Sequence, residues 1–190
     1  MKTTLQILLL ITFLSASVQL FAQEKKPVDY NVQIIKKEAM HFIGLEAKTD
    51  MATEDSLGVI GKLWGKAMAQ GIMMNIPNKV NNNMYGLYYD YNFSESQSFT
   101  VLVACQVSTL DDVPDGMVGY TVPASRYAVF TTPQGNMNQI VKNGWQYIWE
   151  KWMAENPNQA SFVCDFEEYD ETAMNMEAAV VKLYLGLKPE

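Results

Sequence analysis

The chain has one arginine, one histidine and two cysteines in 190 residues, and no basic run beyond its N-terminal stretch. Phosphate contacts draw on clustered Lys and Arg that release counterions, so no nucleic-acid surface is expected. The lone histidine, His41, has no second ligand at a metal-binding spacing, so neither a metal nor a cofactor is expected. It also has no Gly-x-Ser-x-Gly elbow to serve, so a Ser-His-acid set is not visible, and His41 reads as a half-exposed strand residue. A phosphate-cradling glycine loop is missing as well. Long apolar runs are confined to the first 22 residues.

What is present is an ordinary globular balance, 48% apolar and 18% charged, with a net charge of −7. That length allows one domain with a sizeable core, and not two. An acidic surface tolerates or attracts cations. Ten Tyr, four Trp and twelve Met suit either an irregular core or a tolerant binding surface.

Residues 1–22 follow the order of a secretory signal. Lys2 gives a positive start, 5–14 an apolar run, and small residues precede Leu20-Phe21-Ala22-Gln23, with cleavage expected after Ala22. As a retained anchor the run is too short for a comfortable span. The polar residues 23–29 read as a tether, and the protein is expected to be secreted or periplasmic. In such a compartment Cys105 and Cys164 can be bonded or free. Both alternate with apolar strand residues, and buried free thiols are the favoured expectation.

Two amphipathic helices are expected. One spans 56–75, with Leu57, Ile60, Leu63, Trp64, Ala67 and Met68 on one face and Pro77 beyond its end. The other spans 138–155, with Val141, Trp145, Ile148, Trp149 and Trp152 in a stripe. Extended runs cover 31–48, 84–91, 99–109, 117–131, 162–169 and 178–187. The order strand-helix-strand-strand occurs twice. Trp64-Gly65-Lys66-Ala67-Met68 resembles Trp149-Glu150-Lys151-Trp152-Met153, Phe42-Ile43-Gly44-Leu45 falls on Tyr127-Ala128-Val129-Phe130, and Tyr89-Asp90 falls on Tyr169-Asp170. The expected fold is therefore α+β: two pseudo-symmetric βαββ repeats, about 30–109 and 116–188, forming antiparallel sheet with two helices. The seam between repeats is a natural ligand cleft.

Alternation in 162–169 puts Phe162, Cys164 and Phe166 on one face and Val163, Asp165, Glu167 and Tyr169 on the other. Glu167 reads either as a solvated strand position or as a carboxylate held for a cationic ligand, costly if buried and unpaired. Tyr85, Tyr88, Tyr89 and Tyr91 place rings on both faces of one strand, which suggests a lined cavity. Aromatic faces beside a carboxylate suit a flat or quaternary cation. Met40, Met84, Met117 and Met137 are further candidates for the lining. Trp64, Trp145, Trp149 and Trp152 read first as core.

These segments, with Ile60-Gly61-Lys62-Leu63-Trp64, Val122-Pro123-Ala124-Ser125-Arg126 and Asp165-Phe166-Glu167-Glu168-Tyr169-Asp170, resemble the GyrI-like family of bacterial effector-binding domains, including its integron-associated members. The resemblance covers about 30–188. It implies a groove for bulky hydrophobic, often cationic, compounds, with the ligand-contacting acid on Glu167. Tyr169, Tyr88, Tyr91, Trp145 and Trp149 complete the expected ligand-binding set. Ala104-Cys105 and Ser125 stand where relatives often carry glycine. The function expected is exported small-molecule capture. A hydrolase opening strained-ring natural products, with Glu167 as base, is the alternative. A protein-interaction module is a third class.

Overall fold

The computed structural model describes residues 28, 30–94 and 97–190. The expected leader, 1–22, lies outside the described residues, as does the tether, 23–29, apart from Val28. Eight strands form one antiparallel sheet: β1 (Gln33–Lys37), β2 (Met40–Asp50), β3 (Met84–Asn92), β4 (Ser98–Val107), β5 (Val118–Val122), β6 (Ser125–Thr131), β7 (Cys164–Tyr169) and β8 (Lys182–Leu187). Their order is β1-β6-β8-β7-β3-β4-β2-β5.

The runs expected as single strands at 31–48 and 117–131 are each interrupted by two residues, Glu38-Ala39 and Pro123-Ala124. Pro123 has no N–H to give a ladder, which suits an interruption. Those short links join strands lying near opposite ends of the order, so the sheet must curl until its ends meet. The register carries straight across the interruption, from Lys37↔Ser125 to Met40↔Val122. Outward from the central β3–β7 pair, both sides repeat one pattern. β4, β2 and β5 on one side match β8, β6 and β1 on the other. The two βαββ repeats are therefore present, and each takes its outermost strand from the chain segment preceding the other.

Asp50, the last residue of β2, starts the first helical region by accepting the Thr53 N–H at 2.8 Å. The region thus begins at Met51, earlier than expected, and glycines at φ 60° and 56° (Gly58 and Gly71) divide it. Its parts are α1 (Met51–Leu57), α2 (Val59–Ala69) and α3 (Ile72–Asn75). The second region comprises α4 (Met137–Tyr147), a π-helical turn (Ile148–Trp152) and α5 (Met153–Glu155). Asn136 caps its start through the Gln139 N–H.

The curled sheet encloses Phe42, Leu87, Leu102, Phe166 and Tyr127. Outside it, Leu63 and Ala67 of α2 pack on Val101 and Val103, while Ile140 and Ile148 pack on Leu183 and Leu185. Each fully buried Leu, Ile or Phe contributes roughly 1.5–3 kcal/mol. Cys105 and Cys164 are buried free thiols in different clusters. His41 is half-buried, its Nδ1 lying 2.9 Å from the Thr121 hydroxyl. Among the described residues no helix is long and apolar enough to cross a membrane.

Candidate ligand groove

β7 carries the acids. Its alternation turns Cys164 and Phe166 into the enclosed core and Asp165 and Glu167 outward, beneath the helices. Phe162 departs from the expected alternation. It precedes the strand, has φ 55° and packs on the outer side with the second helical region.

Glu167 is 2% exposed. Its Oε1 accepts the Trp145 indole N–H at 2.7 Å and the Tyr88 hydroxyl at 3.0 Å. Its Oε2 accepts the Tyr169 hydroxyl at 2.6 Å. Burial raises the Glu167 pKa, and the bonds from Tyr169, Trp145 and Tyr88 hold back that rise. Burial, with the adjacent carboxylate, pushes both tyrosine hydroxyls well above their ordinary value, so they stay donors.

The strand opposite makes room. Glu167 pairs with Gly86 of β3, and a Cβ on Gly86 would stand 2.9 Å from Oε2 and 3.2 Å from Cζ2 of Trp64. Trp64 meets the Tyr169 ring edge to face at 5.0 Å, and Trp145 meets the Tyr88 ring likewise at 5.9 Å. One tryptophan from each helical region thus flanks the acid.

A second carboxylate lies one same-face step along β7. Asp165 is fully buried and accepts the Tyr91 hydroxyl and the Gly186 N–H, both at 2.7 Å. Burial pushes its pKa up to about 6 against those two bonds. Tyr91 shares a side of the sheet with Tyr88 because the β3–β4 register shifts after Tyr89, where Asp90 has φ 52°. Strict alternation would have put Tyr91 with Tyr89 inside. Rings continue outward from Tyr91 to Phe93 and Phe162, and Phe162 lies parallel to Trp149 at 6.2 Å. Trp149 is 41% exposed and also stacks on Trp145.

Of the expected set, Tyr88, Trp145 and Tyr169 meet at Glu167, Tyr91 stands at Asp165, and Trp149 lies on the outer rim. Met117 packs in the cluster that holds Trp64, Tyr88 and Tyr91, and Met137 in the one that holds Trp145 and Tyr169, while Met40 lies in the enclosed core. Trp64, Gly86 and Asp165 join the site without having been singled out. Trp64 is recognisable as the first repeat's counterpart of Trp145, since each ring meets the tyrosine of the other half. Residue identity alone matched it to Trp149. The two ion pairs among the described residues, Arg126–Glu190 and Lys182–Asp170, leave both buried acids to neutral donors. A cleft of about 470 Å³ opens elsewhere, beside Lys36, Pro123 and Arg126.

The α+β fold, a curled sheet with a buried acid beneath aromatic rings, is that of a small-molecule-binding domain. Residues 30–188 match the GyrI-like small molecule binding domain family, and the chain belongs to it. YobU of Bacillus subtilis (strain 168), named for transcriptional regulation, is 29% identical over 149 residues, covering 77% of this chain and 91% of YobU. The transcriptional regulator BrlR of Pseudomonas aeruginosa is 42% identical over 59 residues, 31% of this chain and 21% of BrlR.

Among solved structures, SAV2435 bound to tetraphenylphosphonium superposes with a TM-score of 0.69 at 14% identity, over 83% of this chain and 93% of that one. The integron cassette protein VCH_CASS2 from the Vibrio cholerae mobile metagenome gives 0.63 at 22% identity, over 86% and 100%. Both share the α+β fold.

Proposed function

We propose that the groove over Glu167 captures bulky apolar cations and that the protein does so after export. The observation carrying this reading is Glu167 itself. It is a buried carboxylate on a β-strand that neutral donors and four aromatic rings surround. Burying such a charge is costly, and a cation seated among ring faces offsets that cost. Tyr88, Tyr169, Trp64 and Trp145 supply the faces, and the two half-buried tryptophans part to admit the ligand. The leader-like residues 1–22 support export, and a mature chain starting at Gln23 in the culture medium or periplasm would bear that out.

Tetraphenylphosphonium is the probe, chosen because SAV2435, of the same fold, was solved with it bound. Titration calorimetry should show binding by the wild type and a loss of about tenfold or more in Glu167→Gln, the range for losing a desolvated charge partner. Absence of binding, or equal binding by both proteins, refutes the reading. Multiple turnover of a strained-ring electrophile, abolished in Glu167→Gln, would assign the groove to hydrolysis instead.

A further inference from the structure

The Gly86↔Glu167 pair lies near the middle of the β3–β7 seam, where the two repeats meet. The register allows an axis through this pair, and the bonds to Glu167 and the ring contacts select it. On either side of this pair, Met84↔Tyr169 and Tyr88↔Asp165 are each other's counterparts. Tyr88 and Tyr169 therefore occupy the same place in their two repeats, and they donate to the two different oxygens of one carboxylate. The ring contacts obey the same relation, with Trp64 on Tyr169 and Trp145 on Tyr88, both edge to face. Gly86 is then the position equivalent to Glu167. It is a glycine because the glutamate from the opposite strand already lies across it.

We propose that the groove reads its ligand about this pseudo-twofold axis. It selects compact cations whose charge lies midway between two apolar arms, and an acid on either central strand can serve it. The inference rests on the cation-binding reading above. On each side of the carboxylate the ligand meets the same wall, one tyrosine ring and one tryptophan ring. A central charge lets both arms reach a wall while the charge stays over the acid. A terminal charge forces a choice between filling both walls and holding the cation at Glu167. The indole N–H of Trp145, given to Oε1, makes the two sides alike rather than identical.

Two isomeric probes test the selection: dibenzyldimethylammonium, with its charge between the rings, and (4-phenylbenzyl)trimethylammonium, with its charge at one end. They share formula, charge and ring number, and differ in whether the charge lies between the two rings or beyond them. The centred isomer should bind about tenfold more tightly, as expected if the terminal one forfeits a desolvated cation–ring contact. The second arm moves the acid. Glu167→Gly should lose binding of the centred isomer, and Glu167→Gly with Gly86→Glu should restore it. The Oε2 contact that crowds a side chain at position 86 leaves with the glutamate, and the Trp64 ring, its Cζ2 3.2 Å away, has to give by a few tenths of an ångström.

Equal binding of the isomers, or a folded swap without affinity, overturns the inference while leaving the cation site intact. Failure of tetraphenylphosphonium and both isomers removes the cation reading and this inference together. Circular dichroism establishes whether the swap folds; if it does not, the isomer comparison decides alone.

Discussion

Asp165 accepts the Gly186 N–H at 2.7 Å, just past Phe166↔Tyr184, where the β7–β8 ladder ends. The side chain supplies a bond where the backbone ladder has stopped. A Cβ on Gly186 would meet Ser161 Oγ at 2.8 Å and the Cys164 carbonyl at 2.9 Å, so this corner is closely packed.

A pH dependence of stability follows. Burial pushes Asp165 from 3.8 up to about 6, so the folded protein holds this proton more tightly than the unfolded chain. Its contribution is fully present below the unfolded value and is lost as pH rises through about 6. The shift corresponds to roughly 3 kcal/mol. Urea unfolding between pH 4 and 7 should show wild type losing stability relative to Asp165→Asn. Parallel profiles would mean the carboxyl is not desolvated.

Tyr88→Phe and Tyr169→Phe should act alike. Each removes an O–H donor to the Glu167 carboxylate, a bond of about 1.5–3 kcal/mol when the acceptor is charged. Because those bonds favour the ionised form, either substitution raises the Glu167 pKa further. Cation affinity falls as pH drops through that pKa, so the midpoint should move to higher pH in both variants. Glu168→Gln is the control. Its carboxylate bonds Asn83 and Tyr184 rather than the Glu167 donors, and the midpoint should stay put.

Gly86→Ala should weaken tetraphenylphosphonium binding while the protein stays folded. Its Cβ displaces Oε2 of Glu167 at 2.9 Å and crowds Trp64. Gly65→Ala, in α2 with nothing within 4 Å, should instead stabilise by roughly 0.5–1 kcal/mol through helix propensity. Thermal unfolding and calorimetry on both variants check the pair. Unchanged affinity in Gly86→Ala would show that the carboxylate does not need its present position.

Two tryptophans of one stripe should separate by stability. Trp152 is buried against Phe130, and Trp152→Ala should cost roughly 3–5 kcal/mol. Trp149 stands on the rim at 41% exposed, and Trp149→Ala should cost clearly less. Similar losses in urea unfolding would place Trp149 in the core after all.

The strand runs, the two helical regions and the duplication are readable from alternation, helical spacing and repeated motifs. Alternation also places Asp165 and Glu167 on one face. It does not reveal that the runs at 31–48 and 117–131 cross from one repeat to the other, because period-two patterning records a face and not a neighbour. The helix start at Met51 was hidden because Asp50 serves as both strand end and cap. Matching Trp64 to Trp149 and Tyr89 to Tyr169 followed residue identity. The seam instead equates Tyr88 with Tyr169, and the ring contacts equate Trp64 with Trp145, correspondences that only cross-strand pairing displays. The positive φ at Asp90, which sets Tyr91 beside Asp165, has no hydrophobic signature at all.

The exchanged outer strands bear on how the chain comes to be folded. Gln33↔Val129 pairs β1 with the second repeat and Gly44↔Val118 pairs β5 with the first, so neither repeat completes its sheet from its own strands alone. Such distant pairings carry a large loop-closure cost, and folding should be slow and all-or-none rather than repeat by repeat. Expressed without its counterpart, one repeat would have an unpaired sheet margin and a spare strand that fits the same margin on another molecule. Two such fragments could exchange those strands as a symmetric dimer, a design that tandem fusion makes permanent within one chain.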